Sequence, residues 1–291
     1  METAELLKKV RKIEIHTKGL VNQIFSGEYH SVFKGRGMAF SEVREYQFGD
    51  DIRTIDWNVS ARFNHPFVKV FEEERELTVM LLVDVSGSGE YGTVRQMKKD
   101  VATELCAVLA FSALQNNDKV GVIFFSDIIE GFIPPKKGRT HILRIVREVL
   151  DFNPLHNRTK IAEGLRYLTR AIKKRSIAFL ISDFLDQDYD DALKIAAKKH
   201  DLIGIRLYDP RESELPDSGL MRIVDAESSE AVWVDTRDRI VRDRYSRWWQ
   251  EREAARARLF NRSGVDAINI RIDRSYISPL VSFFRVRERR W

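Results

Sequence analysis

Residues 77–88 read LTVMLLVDVSGS: an apolar run over 77–83, then Asp84-Val85-Ser86-Gly87-Ser88. A continuous apolar run without polar alternation fits a strand covered on both faces. A second run, SIAFLIS over 176–182, ends the same way, in Ser182-Asp183. Residues 119–125 and 128–133 read as strands parted by a Ser126-Asp127 turn, and 202–208 and 266–272 as further strands. Helical periodicity covers 94–114, 139–150, 161–173, 190–199, 240–261 and 276–286. Two short strands, 221–224 and 231–234, flank the polar AESSE segment and form a surface hairpin. Strand–helix alternation of this kind predicts an α/β fold: a doubly wound, mostly parallel sheet over 77–291, with a hairpin insertion near 221–234. Ligands of such sheets bind at the carboxyl ends of the strands.

Residues 1–76 have a different texture. A helix is expected over 4–13. A stretch dense in Gly, Phe and charge follows, with short strands at 30–33 and 67–71, and the whole reads as a small turn-rich module. Within it Asp50, Asp51, Arg53, Asp56 and Arg62 surround Trp57. Such charges near an aromatic residue predict an ion-paired turn with Trp57 as its apolar anchor; the second reading is a recognition surface for a partner or nucleic acid.

Composition narrows the function classes. Of 291 residues, 43% are hydrophobic and 32% charged, a globular balance with enough apolar material for a core. The net charge of +5 is a weak bias against 44 acidic residues, and no groove-reading motif accompanies it, so nucleic-acid binding is a minor alternative. The single cysteine, Cys106, lies in an apolar helical stripe, and a lone thiol fits a reducing, cytoplasmic compartment. The opening METAELLKKVRKIEIHTK has no continuous apolar segment, and the longest apolar runs fall short of the ~20 residues that span a membrane.

Which side chains crowd the strand ends decides the chemistry. Asp84, Ser86 and Ser88 follow the first buried strand, Asp183 follows a later one, and Asn157-Arg158-Thr159 precedes the helix at 161. An oxygen-only set of Asp, Ser and Thr suits a hard cation such as Mg²⁺. In an extended loop, the alternating D-x-S-x-S spacing puts Asp84, Ser86 and Ser88 on one side.

This constellation resembles the metal-ion-dependent adhesion site of von Willebrand factor A domains. The resemblance implies that Asp84, Ser86, Ser88, Thr159 and Asp183 surround Mg²⁺ or another divalent cation, with one position left for a partner's Glu or Asp. Upstream, Gly35-Arg36-Gly37, Arg44-Glu45-Tyr46, the Gly49–Trp57 run GDDIRTIDW, Ser60-Ala61-Arg62 and KVFEEE over 69–74 resemble the signature of the bacterial "domain of unknown function 58" family. That resemblance implies a von Willebrand factor A-like domain behind the signature and a MoxR-type AAA ATPase as partner. The expected function is therefore a noncatalytic Mg²⁺-dependent protein-binding adaptor.

Two enzyme readings compete for the same residues. Gly87-Ser88-Gly89-Glu90-Tyr91-Gly92 spells a dinucleotide fingerprint, but Asp84 would repel a pyrophosphate and no acid follows at the ribose position. A Mg²⁺-dependent phosphohydrolase could use Asp84 as nucleophile. Ser86 stands where a second Asp is wanted, however, and the sequence offers no positioned Lys. The six histidines are scattered. His156 is nearest to Thr159, and Trp248-Trp249 is a candidate interface anchor.

Overall fold

The computed structural model describes residues 38–73, 77–92, 96–227 and 230–289. The helix expected over 4–13 and the strand over 30–33 lie outside them. The chain divides into two compact units, the smaller over Phe33–Leu77 and the larger over the residues from Thr78 onward.

In the smaller unit, strands β1 (Met38–Glu45) and β2 (Phe67–Glu73) pair antiparallel around a short helix, α1 (Trp57–Phe63). The charged segment is ion-paired at two of its acids, Asp50 with Arg44 and Asp56 with Lys69 at 3.4 Å, but both cations come from the flanking strands. Its acids also serve as caps. Asp51 accepts from Arg53 N at the 3-10 turn Ile52–Thr54, and Asp56 accepts from Asn58 N and Val59 N at the start of α1. Arg44 grips Asp50 with two hydrogen bonds of 2.8 and 2.7 Å. Trp57 is not an anchor: it occupies the first position of α1 and is 69% exposed.

The larger unit is built on one six-stranded sheet. In chain order its elements are β3 (Thr78–Asp84), α2 (Lys98–Gln115), β4 (Lys119–Phe125), β5 (Ile129–Lys136), α3 (Arg139–Leu150), α4 (Ile161–Ala171), β6 (Ile177–Ser182), α5 (Asp190–Lys199) and β7 (Asp201–Tyr208). The hairpin β8 (Leu220–Val224) and β9 (Ala231–Asp235) follows, then α6 (Arg239–Ser263), β10 (Asp266–Arg271) and α7 (Ile277–Glu288). The strand order is β10-β7-β6-β3-β4-β5, with β5 antiparallel on one edge. This is the doubly wound, mostly parallel sheet that the alternation predicts. Pro134 and Pro135 extend β5 beyond its expected end, which an edge strand tolerates because its outer N–H groups need no partner. The helix expected from 94 is helical from Lys98.

Topology locates the crevice. After β3 the chain builds β4 and β5 on one side, then returns to lay β6 on the other, so β3 and β6 are neighbours with parallel ends. The middle of β3 and all of β6 are buried, as unbroken apolar runs require. Cys106 is fully buried in α2, where loss of hydration pushes its thiol up to about 12. Trp249 is buried, whereas Trp248 is 44% exposed.

The turn after β6 is held by aromatic packing. Phe184 adopts a left-handed φ of 59°, a conformation that costs a non-glycine residue about 1 kcal/mol or more. Its ring meets Phe260 of α6 edge-on, 5.1 Å between centroids. Both rings need Gly204 on β7 to lack a side chain: a Cβ there would lie 2.5 Å from Phe260 Cε2 and 3.2 Å from Phe184 Cζ. Gly204→Ala should therefore cost about 1–3 kcal/mol in urea unfolding through overpacking, and Phe260→Leu in the same chain should recover part of it.

A histidine at the opposite end of β6 should make stability pH-dependent. His200 is 1% exposed, with Nδ1 2.9 Å from Ser176 Oγ. Burial, then the Lys199 and Arg175 charges, lower its pKa to about 4. An unfolded histidine takes up a proton near pH 6.5, so this contribution is complete above that pH and is lost in acid down to about 4. Unfolding midpoints measured from pH 7 to 4 should fall less steeply in His200→Asn than in the wild type.

Candidate metal and carboxylate site

Asp84 ends β3, and Ser182-Asp183 ends β6 beside it. Asp84 Oδ1 accepts from Ser86 N at 3.0 Å, and Oδ2 accepts from Ser182 Oγ at 2.6 Å. The loop beyond is not extended: residues Gly87–Glu90 form a 3-10 turn. The two hydroxyls still meet, with Ser86 Oγ 3.2 Å from Ser88 Oγ. Ser88 also hydrogen-bonds Asp183, whose Oδ1 accepts from Leu185 N at 3.2 Å.

Neighbouring loops hold Thr159 at this edge. Gly87 N donates to Asn157 O at 2.9 Å, and Lys160 N to Ser126 O at 3.0 Å. Glu130 accepts from Ser126 Oγ and from the backbone N–H groups of Leu155 and His156. His156 Nδ1 sits 2.8 Å from Asp127 Oδ1 on the exposed side, so it braces this loop. Asp186, from the segment after β6, accepts from Ile161 N at 2.7 Å at the start of α4. The Thr159 hydroxyl donates to Glu227 Oε1 at 2.6 Å, a residue of the β8–β9 connection. The structure thus brings Asp84, Ser86, Ser88 and Asp183 into direct contact or near-contact, and places Thr159 at the same edge on a different carboxylate.

Sequence reasoning finds no positioned Lys; the structure supplies one. Lys98, the first residue of α2, is 3% exposed. Its Nζ lies 2.9 Å from Asp183 Oδ2 and 2.5 Å from Glu212 Oε1. A helix N-terminus disfavours a cation, so these two carboxylates decide its position. Burial would depress the ammonium, but the Asp183 and Glu212 charges and hydrogen bonds outweigh it and raise its pKa. Burial likewise opposes ionisation of Asp183, yet Lys98 holds that carboxyl below its ordinary value. Asp84 has no such cation: burial, then the Asp183 charge, push it up to about 7. Lys98 and Glu212 give no local signal, because adjacent Lys98-Lys99 read as a solvated helix face and Glu212 as part of a polar loop.

Asp183 and Glu212 thus share one ammonium, and Asp84 beside them adds a third buried or half-buried carboxylate with no cation of its own among the described residues. A divalent cation would offset that excess negative charge, and the hydroxyl-rich donor set suits a hard ion. Among the described residues no group of three or more His, Cys, Asp and Glu could hold a metal alone, so the hydroxyls are essential to this fit. Beside Asp84, Ser88, Lys98 and Asp183 lies a cavity of about 20 Å³, room for one water-sized occupant.

Removing Lys98 should leave two buried charges facing each other. Lys98→Met is expected to destabilise the fold by about 3–5 kcal/mol in denaturant titrations, and adding Glu212→Gln should restore part of the loss.

Uncharacterized proteins of Mycobacterium tuberculosis and Mycobacterium bovis are each 30% identical to this chain over 292 residues, covering 99% of it and 92% of their own length. Among solved structures, the conserved hypothetical protein BatB of Bacteroides thetaiotaomicron aligns with a TM-score of 0.46 at 16% identity, over 74% of this chain and 100% of that one. The SpRpn10 VWA domain aligns at 0.38 and 11% identity, over 72% and 95%. Among the described residues, no helix is long and apolar enough to cross a membrane. The family model described as protein of unknown function DUF58 matches residues 42–255, and the chain belongs to that family.

Proposed function

We propose that this chain is a noncatalytic, Mg²⁺-dependent adaptor that binds a carboxylate of a partner protein. The observation that carries the reading is the convergence of Asp84, Ser86, Ser88 and Asp183 at the joined ends of β3 and β6, with the Thr159 loop tied to the same turn. Ser86, Ser88 and Thr159 would hold the ion through hydroxyls, and Asp84 and Asp183 would balance its charge. When bound, the ion supplies concentrated positive charge with a position open to an incoming carboxylate. Lys98 favours the ionised form of Asp183 and directs it, and the Ser182 hydroxyl directs one oxygen of Asp84. By the family resemblance alone, the partner or controller we propose is a MoxR-type AAA ATPase.

A second reading gains one observation from the structure. Lys98 is a buried cation near Asp84, as a Mg²⁺-dependent phosphohydrolase with Asp84 as nucleophile would require. One feature weighs against it: Lys98 is already bridged between two carboxylates.

Calorimetric titration with Mg²⁺ or Mn²⁺ should show one site, weakened at least tenfold in Ser86→Ala and Thr159→Ala chains whose circular dichroism is unchanged. Capture from the native host should recover an AAA ATPase in Mg²⁺ and lose it in EDTA or with Ser86→Ala. Recovery of the same proteins under every condition would overturn the adaptor reading. Phosphate release from a generic ester in Mg²⁺, abolished by Asp84→Asn, would establish the hydrolase instead.

A further inference from the structure

The site has a carboxylate on it that no motif predicts. Glu227 lies in the connection between β8 and β9, where its N–H donates to Asp225 Oδ1 at 2.7 Å and turns the chain. Its Oε1 accepts the Thr159 hydroxyl at 2.6 Å, and its carboxylate is close enough to Asp183 to feel that charge. A second contact fixes the same connection. A Cβ at Gly87 would lie 2.5 Å from Ala226 O and 3.4 Å from Asn157 Cβ. The hairpin backbone therefore rests on the Ser86–Ser88 turn at a spacing that only glycine permits.

The hairpin is also cheap to move. Its strands form a separate two-stranded sheet, an arrangement that is marginal by itself. Leu220, Val224, Val232 and Trp233 are each more than half exposed. Its base is tied by Thr236 N to Gly219 O at 2.8 Å and by Ser218 N to Thr236 Oγ1 at 3.2 Å. At its far end, the Glu227 hydrogen bond and the Gly87 packing meet the site.

We propose that Glu227 is the site's own acidic ligand: the β8–β9 hairpin lays it on Thr159, at the mouth of the site that a partner's carboxylate would enter, so a partner must displace the hairpin to bind. This rests on the reading of the site as a metal-dependent carboxylate binder and adds its regulation. The closed hairpin reduces apparent affinity by the fraction of molecules that are open, and it makes a single weak acid a poor competitor.

The test uses the full chain at saturating Mn²⁺, with a tetraglutamate peptide as the acidic probe. Glu227→Ala should bind the peptide about tenfold more tightly than the wild type, the factor expected when about one molecule in ten is open. In the wild type, peptide binding should speed amide hydrogen exchange over residues 220–235. Gly87→Ala should speed exchange there with no ligand present. Mn²⁺ binding with equal peptide affinity in wild type and Glu227→Ala, and hairpin exchange unchanged by Gly87→Ala, would overturn the hairpin inference and leave the metal reading standing. Failure of the wild-type chain to bind Mn²⁺ would overturn both.

Discussion

Two parallel strand ends, β3 and β6, bring the carboxylates of Asp84 and Asp183 together in a place water barely reaches. Like charges in low dielectric repel strongly, and each also loses hydration. Much of the surrounding architecture offsets that cost. Ser86 N and the Ser182 hydroxyl serve Asp84; Leu185 N, Ser88 and Lys98 serve Asp183. The compensation is uneven. Lys98 is shared with Glu212, so Asp84 bears the remaining strain and its carboxyl titrates near neutrality. A buried pocket with surplus negative charge and inward hydroxyls is an environment in which a small divalent ion has more to gain than a second lysine would, because hydroxyls can ligate but cannot neutralise.

The loops around this charge are locked to one another and to the β4–β5 edge of the sheet. Glu130, Asp127 and Ser126 hold the Thr159 loop, Asp186 closes the start of α4, and Gly87 joins the first loop to the second. Behind them, the left-handed turn at Phe184 is wedged by Phe260 against the bare face of Gly204. Packing within the sheet is therefore connected to the direction of Asp183 through a few specific contacts. The hairpin differs in kind: it meets the site through Glu227 and Ala226, and among the described residues its strands pair only with each other, in a sheet of their own.

Much of the fold was legible in the chain because buried parallel strands leave a strong mark. Runs such as 77–83 and 176–182 have no polar face, and their ends name the residues at the sheet edge. That four of the candidate residues would share one edge was legible for the same reason: Asp84, Ser86, Ser88 and Asp183 directly follow those runs. Trp57 was misread, since a large aromatic among charges is expected to be covered, whereas here the nearby acids cap helical turns and leave the ring outside.

By itself, the order of residues determined the strand–helix alternation, the position of the crevice and the oxygen donors that flank it, because hydrophobic periodicity and chain direction are local properties. Only the tertiary structure decided that Lys98 turns inward to join Asp183 and Glu212, and that Glu227 reaches Thr159. These partners lie 85, 114 and 68 residues apart. Electrostatic pairing across such separations leaves no periodic trace; it exists only once the sheet has closed around the charges.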